Sequence, residues 1–224
     1  MKLNHVVLAQ GVRVTEIKAP IYLPAAIASL KERLGFVKAP TTVEEVLPAN
    51  DLQARSFYHG RLEVGGREIV VHKLDVYPRL ISVELQQDTG TTDDCDLVLD
   101  SLVDWHPSIK VMPSPRLYVS QLEVAFDVSL DEVSPALKRI GAMISNTAQG
   151  YGQPPYSVAP LQMLVVAMNL EQQSNTLVSD FRIERRVEHP YDSNVYFSQA
   201  PLRTIDHKSV LEDFERHHQK VAIK

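Results

Sequence analysis

Residues 105–116, Trp105-HPSIKVMPSP-Arg116, carry Pro107, Pro113 and Pro115. Proline fixes φ and lacks a backbone donor, so this stretch interrupts regular structure. It divides the chain into two halves, 1–112 and 113–224, and the elements on either side follow the same order. Upstream, NHVVLAQGVRVTEI (4–17) reads as a strand, and LPAAIASLKERLG (23–35) places Leu23, Ile27, Leu30 and Leu34 at helical spacing. Pro24 suits the first helical position and Gly35 the residue past the end. KAPTTVEEVLPAND (38–51) reads as a loop with a short helical turn. SFYHGRLEV (56–64) and REIVVHKLDV (67–76) flank Gly65-Gly66 as a hairpin, and Tyr77-Pro78-Arg79 turns the chain into LISVELQQ (80–87). There Ile81, Val83 and Leu85 alternate with Ser82, Glu84 and Gln86, giving one buried and one wet face. A helix over about 93–106 completes the half.

Downstream, LYVSQLEVAFDV (117–128) puts Tyr118, Leu122, Val124 and Phe126 on one strand face. Leu130, Val133, Leu137, Ile140 and Ile144 follow at helical spacing, with Ser129 and Glu132 as a capping box and Ser134-Pro135 as a rival start. Three strand-like runs (161–170, 176–186 and 194–202) precede a helix over about 205–218. Both halves therefore read β-α-β-β-β-α. The expectation is an α+β fold of two pseudo-repeated units, with antiparallel sheets and helices packed on one face, related by a pseudo-twofold. The halves form either two sheets or one compact domain, and no residue identity between them stands out. This order of elements resembles the duplicated saddle of the TATA-box-binding proteins and the wider helix-grip folds. The resemblance is one of topology, so it implies a fold and no function.

A chain of 224 residues is long enough to build a core without staples. Cys95 is the only cysteine, which rules out an intramolecular disulfide or a multi-cysteine metal site and suits a reducing compartment. No apolar run approaches the length of a membrane span, and the N-terminus lacks a signal-peptide core, so a cytoplasmic location is expected. With 23 Lys+Arg against 28 Asp+Glu the net charge is −5, and no basic tail or domain stands out. Nucleic acid is therefore a poor partner, although the topology would allow it.

The stretch Gln87-DTGTTDDCD-Leu97 contains the Asp-Thr-Gly triplet of aspartic peptidases at Asp88. No second triplet exists to oppose it, and Gln86-Gln87 precedes it where an apolar strand is needed. On a helical wheel, Asp93, Asp96, Asp100 and Asp104 form one stripe, with Cys95, Val98, Leu99 and Leu102 opposite. Such a stripe spreads along the axis and does not converge on one metal ion. The reading is an amphipathic helix whose aspartates face water, capped by Thr91 or Thr92, with Gly90 permitting the turn. No Lys or Arg lies between residues 80 and 109 to relieve the like charges, so the stripe is a candidate surface for a basic partner.

SDFRIERRVEH (179–189) puts Phe181 and Ile183 on one strand face and Asp180, Arg182, Glu184 and Arg186 on the other. Surface ion pairs are the ordinary explanation. The functional one is that Arg182 and Arg186, with Arg185 near, form a fork for an anionic ligand. The loop 145–160 offers Tyr151 and Tyr156 as anchors for a partner. His207 falls in the first turn of the last helix, where capping is expected and a ligand contact is the alternative. No His-Glu-x-x-His, Gly-x-Ser-x-Gly, Walker or Rossmann pattern is present, and no cofactor or metal is expected.

These features favour a non-enzymatic cytoplasmic interaction module or complex subunit, bound to a protein partner or to a second copy of itself. The alternative is a protein or enzyme that holds a small anionic ligand between sheet and helices.

Overall fold

The computed structural model describes residues 1–17, 24–46, 53–105, 109–114, 116–127, 130, 142–143, 146–147, 162–165, 180–186 and 188–222. The helix expected over 130–144 and the loop 145–160 fall almost wholly outside them. The described elements are β1 (Lys2–Ile17), α1 (Pro24–Arg33), α2 (Val43–Val46), β2 (Arg55–Val64), β3 (Arg67–Val76), β4 (Leu80–Gln86), α3 (Thr92–Trp105), β5 (Ile109–Val111), β6 (Leu117–Ala125), β7 (Gln162–Val165), β8 (Phe181–Arg185), β9 (Val195–Ala200) and α4 (Thr204–Ala222). Pro24 opens α1 and Gly35, at φ 56°, follows its end, as the sequence suggests.

Eight strands are hydrogen-bonded in the order β2-β3-β4-β1-β6-β9-β8-β7, and every pairing is antiparallel. The short β5, not anticipated, pairs with the far end of β1 through Ile17↔Ile109 and Thr15↔Val111. The halves share one sheet rather than forming two. Their junction is β1 with β6, in register from Leu8↔Gln121 to Val12↔Leu117. Pairing these two strands removes two open edges that separate sheets would expose.

Alternation sets the two faces. One cross-strand row runs Phe57, Leu74, Val83, Gly11, and the first three side chains are at most 1% exposed. The helices cover this face. Phe36, just after α1, packs on Phe57 with ring centroids 5.3 Å apart. Cys95 and Leu99 of α3 lie over Gly11, where an added Cβ would sit 2.8 Å from that of Cys95. Only glycine lets the helix approach the strand so closely. Leu211 of α4 is fully buried in the same core. Among the described residues no helix covers the opposite face, which carries Ser82, Glu84 and Gln86 from β4 and Gln10 from β1.

The helices α3 and α4 meet at their first residues. The Thr204 amide donates to Thr92 Oγ1 at 2.8 Å, and the Thr92 amide donates to Thr204 Oγ1 at 3.1 Å. First-turn amides lack intrahelical acceptors, so each helix satisfies one donor of the other in a buried setting.

Candidate functional site

The Asp-Thr-Gly triplet is a structural turn. Gln87 and Asp88 adopt positive φ, 53° and 61°, which an aspartate tolerates better than most residues. Asp88 Oδ1 accepts from the Val6 amide at 2.5 Å, and the Thr89 hydroxyl donates to the Gln86 carbonyl at 2.7 Å. The loop is thereby tied to β1. Gly90 is needed for space, not for φ, because an added Cβ would lie 2.6 Å from Leu85 Cδ1. Asp94 closes the helix start by accepting from the Thr91 amide at 2.7 Å, and it also pairs with Arg67. A cavity of about 310 Å³ opens beside this turn, lined by Val6, Arg67, Glu68, Asp88, Thr91 and Asp94 among others. Its two aspartates are already engaged by the protein.

The aspartate stripe does not simply face water. Arg116, at the start of β6, reaches Asp96 and Asp100, both at 2.6 Å. Arg13 of β1 also pairs with Asp100. Arg203, just before α4, reaches Asp96 at 3.2 Å and Asp93 at 3.4 Å, while the Tyr118 hydroxyl donates to Asp96 at 3.0 Å. Burial opposes ionisation of Asp100, but the bonds from Arg116 and Arg13 outweigh it and hold its carboxyl below the ordinary range. A wheel reports only helical neighbours, and these cations come from other elements. Asp93 remains well exposed, Asp104 lies on the last turn of α3, and Tyr151 and Tyr156 lie outside the described residues.

The four candidate ligand residues fall on both faces of the sheet. Arg185 points to the helix side, where its guanidinium stacks on Tyr196 at 4.7 Å from the centroid. His207 is fully buried on that side, so it is neither a cap nor open to solvent. Its Nδ1 lies 2.8 Å from Ser120 Oγ and its Nε2 lies 2.9 Å from Ser198 Oγ. Ser198 donates to the Arg182 carbonyl at 3.0 Å, which leaves its oxygen to accept from Nε2–H. Burial pushes the pKa of the ring down to about 4, against a smaller opposing pull from the Ser120 backbone.

Arg182 and Arg186 occupy the helix-free face. Both guanidiniums stack on Phe197, at 5.3 and 5.0 Å from its centroid. Arg182 also donates to Glu184 and Gln199 at 3.3 Å each, and Gln121 donates to Gln199 at 2.8 Å. Beside them the buried carboxylate of Glu123 gathers Asn4 at 3.2 Å, Arg186 at 3.5 Å, His5 at 3.6 Å and His189 at 3.8 Å. Sequence reasoning missed Phe197, Glu123 and the glutamines. Strand parity places each on its own strand's outer face, but only the register brings them to one neighbourhood.

Among the described residues, no group of three or more His, Cys, Asp or Glu is arranged to hold a metal ion. No described helix is long and apolar enough to cross a membrane. A scan against protein-family models found no match to the chain, and searches of the curated proteins and of the solved structures found none either.

Proposed function

We propose that this protein is a non-enzymatic interaction module, built by internal duplication, whose helix-free sheet face is its contact surface. The duplication is supported by the strand order, which runs β4-β3-β2 outward from β1 and β9-β8-β7 outward from β6. It is supported again by the reciprocal Thr92–Thr204 contact, the kind a twofold produces. Thr92, Asp94, Val98 and Leu99 recur 112 positions on as Thr204, Asp206, Val210 and Leu211, an identity that a comparison of element order alone passes over.

The observation that carries the contact surface is a row of half-exposed side chains across five adjacent strands: Gln86, Leu8, Gln121, Gln199 and Arg182. Three amides and a guanidinium, the latter stacked on Phe197, suit a wet, polar protein interface. Chemistry is disfavoured by what surrounds the reactive groups. The Ser120–His207–Ser198 set is sealed in the core, and burial raises the Cys95 thiol far above the range in which it ionises. That lone buried thiol also suits the cytoplasm. A small anionic ligand between sheet and helices has less support, because the cavity beside α3 is lined by three carboxylates and one arginine.

The test is affinity capture by the full chain and by two variants: Gln121→Lys on the helix-free face and Glu212→Lys on the outer side of α4. A stoichiometric protein partner retained by Glu212→Lys and lost by Gln121→Lys is the expected result. A partner retained equally by both removes the sheet face as the contact surface.

A further inference from the structure

We infer that His59 and His72 hold one exchangeable divalent ion of the zinc class between β2 and β3, with the Glu84 carboxylate as its counter-charge. The inference goes beyond the sheet-face reading and does not depend on it. His59 lies on β2 and His72 on β3, and their ring centroids are 5.3 Å apart with planes inclined at 80°. Two imidazoles sharing one tetrahedral zinc, with Zn–N bonds of about 2.0–2.1 Å, set their centroids about 5 Å apart. Both rings are reachable, since His59 is exposed and His72 is 35% exposed. His59 also holds a left-handed φ of 56°, and strained backbone of this kind clusters at ligand sites.

Glu84 marks the pair as a place for a cation. Its side chain is 22% exposed, and Oε1 lies 3.9 Å from His72 Nε2. The cross-strand partner of Glu84 is Lys73, but that ammonium is tied to Asp75 at 2.7 Å. Gln86 donates to Glu84 Oε1 at 2.6 Å, which orients the carboxylate without neutralising it. A half-buried carboxylate with no Lys or Arg partner among the described residues favours a positive charge beside it. Ring stacking alone accounts for the centroid distance and says nothing of this carboxylate. The 3.9 Å separation exceeds the roughly 3.3 Å between donors on one tetrahedral zinc, so Glu84 stays outside the ligand set. That agrees with there being no three-residue metal group among the described residues. Two imidazoles and water then fill the four positions, an open site from which the ion exchanges, unlike a closed structural one. Neutral imidazole suits zinc, copper and nickel rather than magnesium or calcium.

The experiment is isothermal titration calorimetry of the full chain with zinc chloride at neutral pH, in the presence of excess magnesium. The expected result is one zinc per chain, weakened about tenfold or more by His72→Gln and likewise by His59→Asn, a substitution that the left-handed backbone tolerates. Glu84→Gln removes charge and no ligand, so it should cause a smaller loss. His5→Gln with His189→Gln, the histidines beside Glu123, should leave the affinity unchanged and so controls for scattered imidazoles. Melting temperatures measured without zinc report whether each variant is folded. Should His72→Gln fail to fold, the exposed His59→Asn decides alone. No zinc binding, displacement of zinc by magnesium, an unchanged affinity in a folded His59→Asn or His72→Gln variant, or an equal loss in the His5 and His189 variant would each overturn the inference.

Discussion

The helices α3 and α4 meet at Thr92 and Thr204 and are held in different ways. Leu99 and Leu211, each seven residues past its threonine, are both fully buried. Four residues earlier the chemistry separates. Cys95 lies against bare Gly11 with its thiol near the Ala9 carbonyl, whereas His207 is hydrogen-bonded between two serines. One helix is seated by close apolar approach and the other by a polar set that requires a neutral imidazole. The aspartate stripe of α3 is bound to Arg13, Arg116 and Arg203 from other elements, while among the described residues Lys208–Glu212 and Asp213–Arg216 pair within α4 itself. A shared apolar anchor therefore tolerates divergent polar surroundings, because burial is non-directional and hydrogen bonds are not.

The largest effect tests the part that is shared. Leu99→Ala and Leu211→Ala should each destabilise the protein by about 2–5 kcal/mol in urea unfolding, since each removes a fully buried side chain. A cost below about 1 kcal/mol for either would show that the two leucines do not anchor their helices alike.

Acid should separate what differs. Folding holds His207 at about 4, below its ordinary 6.5, so its contribution is complete above pH 6.5 and is lost as pH falls towards 4. The loss is about 1.4 kcal/mol per pH unit within that window. Unfolding at pH 7 and pH 5 should show this slope in the wild type and a shallower one in His207→Asn. Parallel slopes would mean that the imidazole is not the titrating group. No such dependence is expected at Cys95, whose thiol stays neutral throughout.

The smallest effect sharpens the outer contrast. Arg203→Gln should cost about 0.2–1 kcal/mol, because the pair with Asp93 is exposed and the one with Asp96 only partly shielded. Its signature is the loss of part of the salt dependence of stability rather than the size of the change. An unchanged response to salt would remove Arg203 from the network that neutralises the stripe.

Local pattern made most of the fold legible. The alternation of Ile81, Val83 and Leu85 with Ser82, Glu84 and Gln86 depends on neighbours two residues away and specifies the two faces directly, although Ser82 is buried on the expected wet face, where Gln10 donates to its hydroxyl. The same is true of α3, where the expected apolar side is buried at Cys95, Val98, Leu99 and Leu102. The β1–β6 junction was not legible, because register between strands more than a hundred residues apart has no local signal. The acidic stripe misled for a related reason. Its like charges were visible along the helix, but Arg13, Arg116 and Arg203 reach it only after folding. Arg182 and Arg186 were correctly placed on one strand face, whereas Phe197 beneath them needed the pairing of β8 with β9.

The central strand is also the earliest in the chain of the described strands. Neither long neighbour of β1 is complete until residue 86 on one side and residue 125 on the other. During synthesis its two edges must wait, one of them until residue 125, long after β1 itself ends at residue 17. Contacts of such sequence separation put folding on the order of milliseconds to seconds rather than microseconds. A nascent β1 is thus a segment for a chaperone to shield, and the rate at which β6 is delivered governs how long both edges stay exposed.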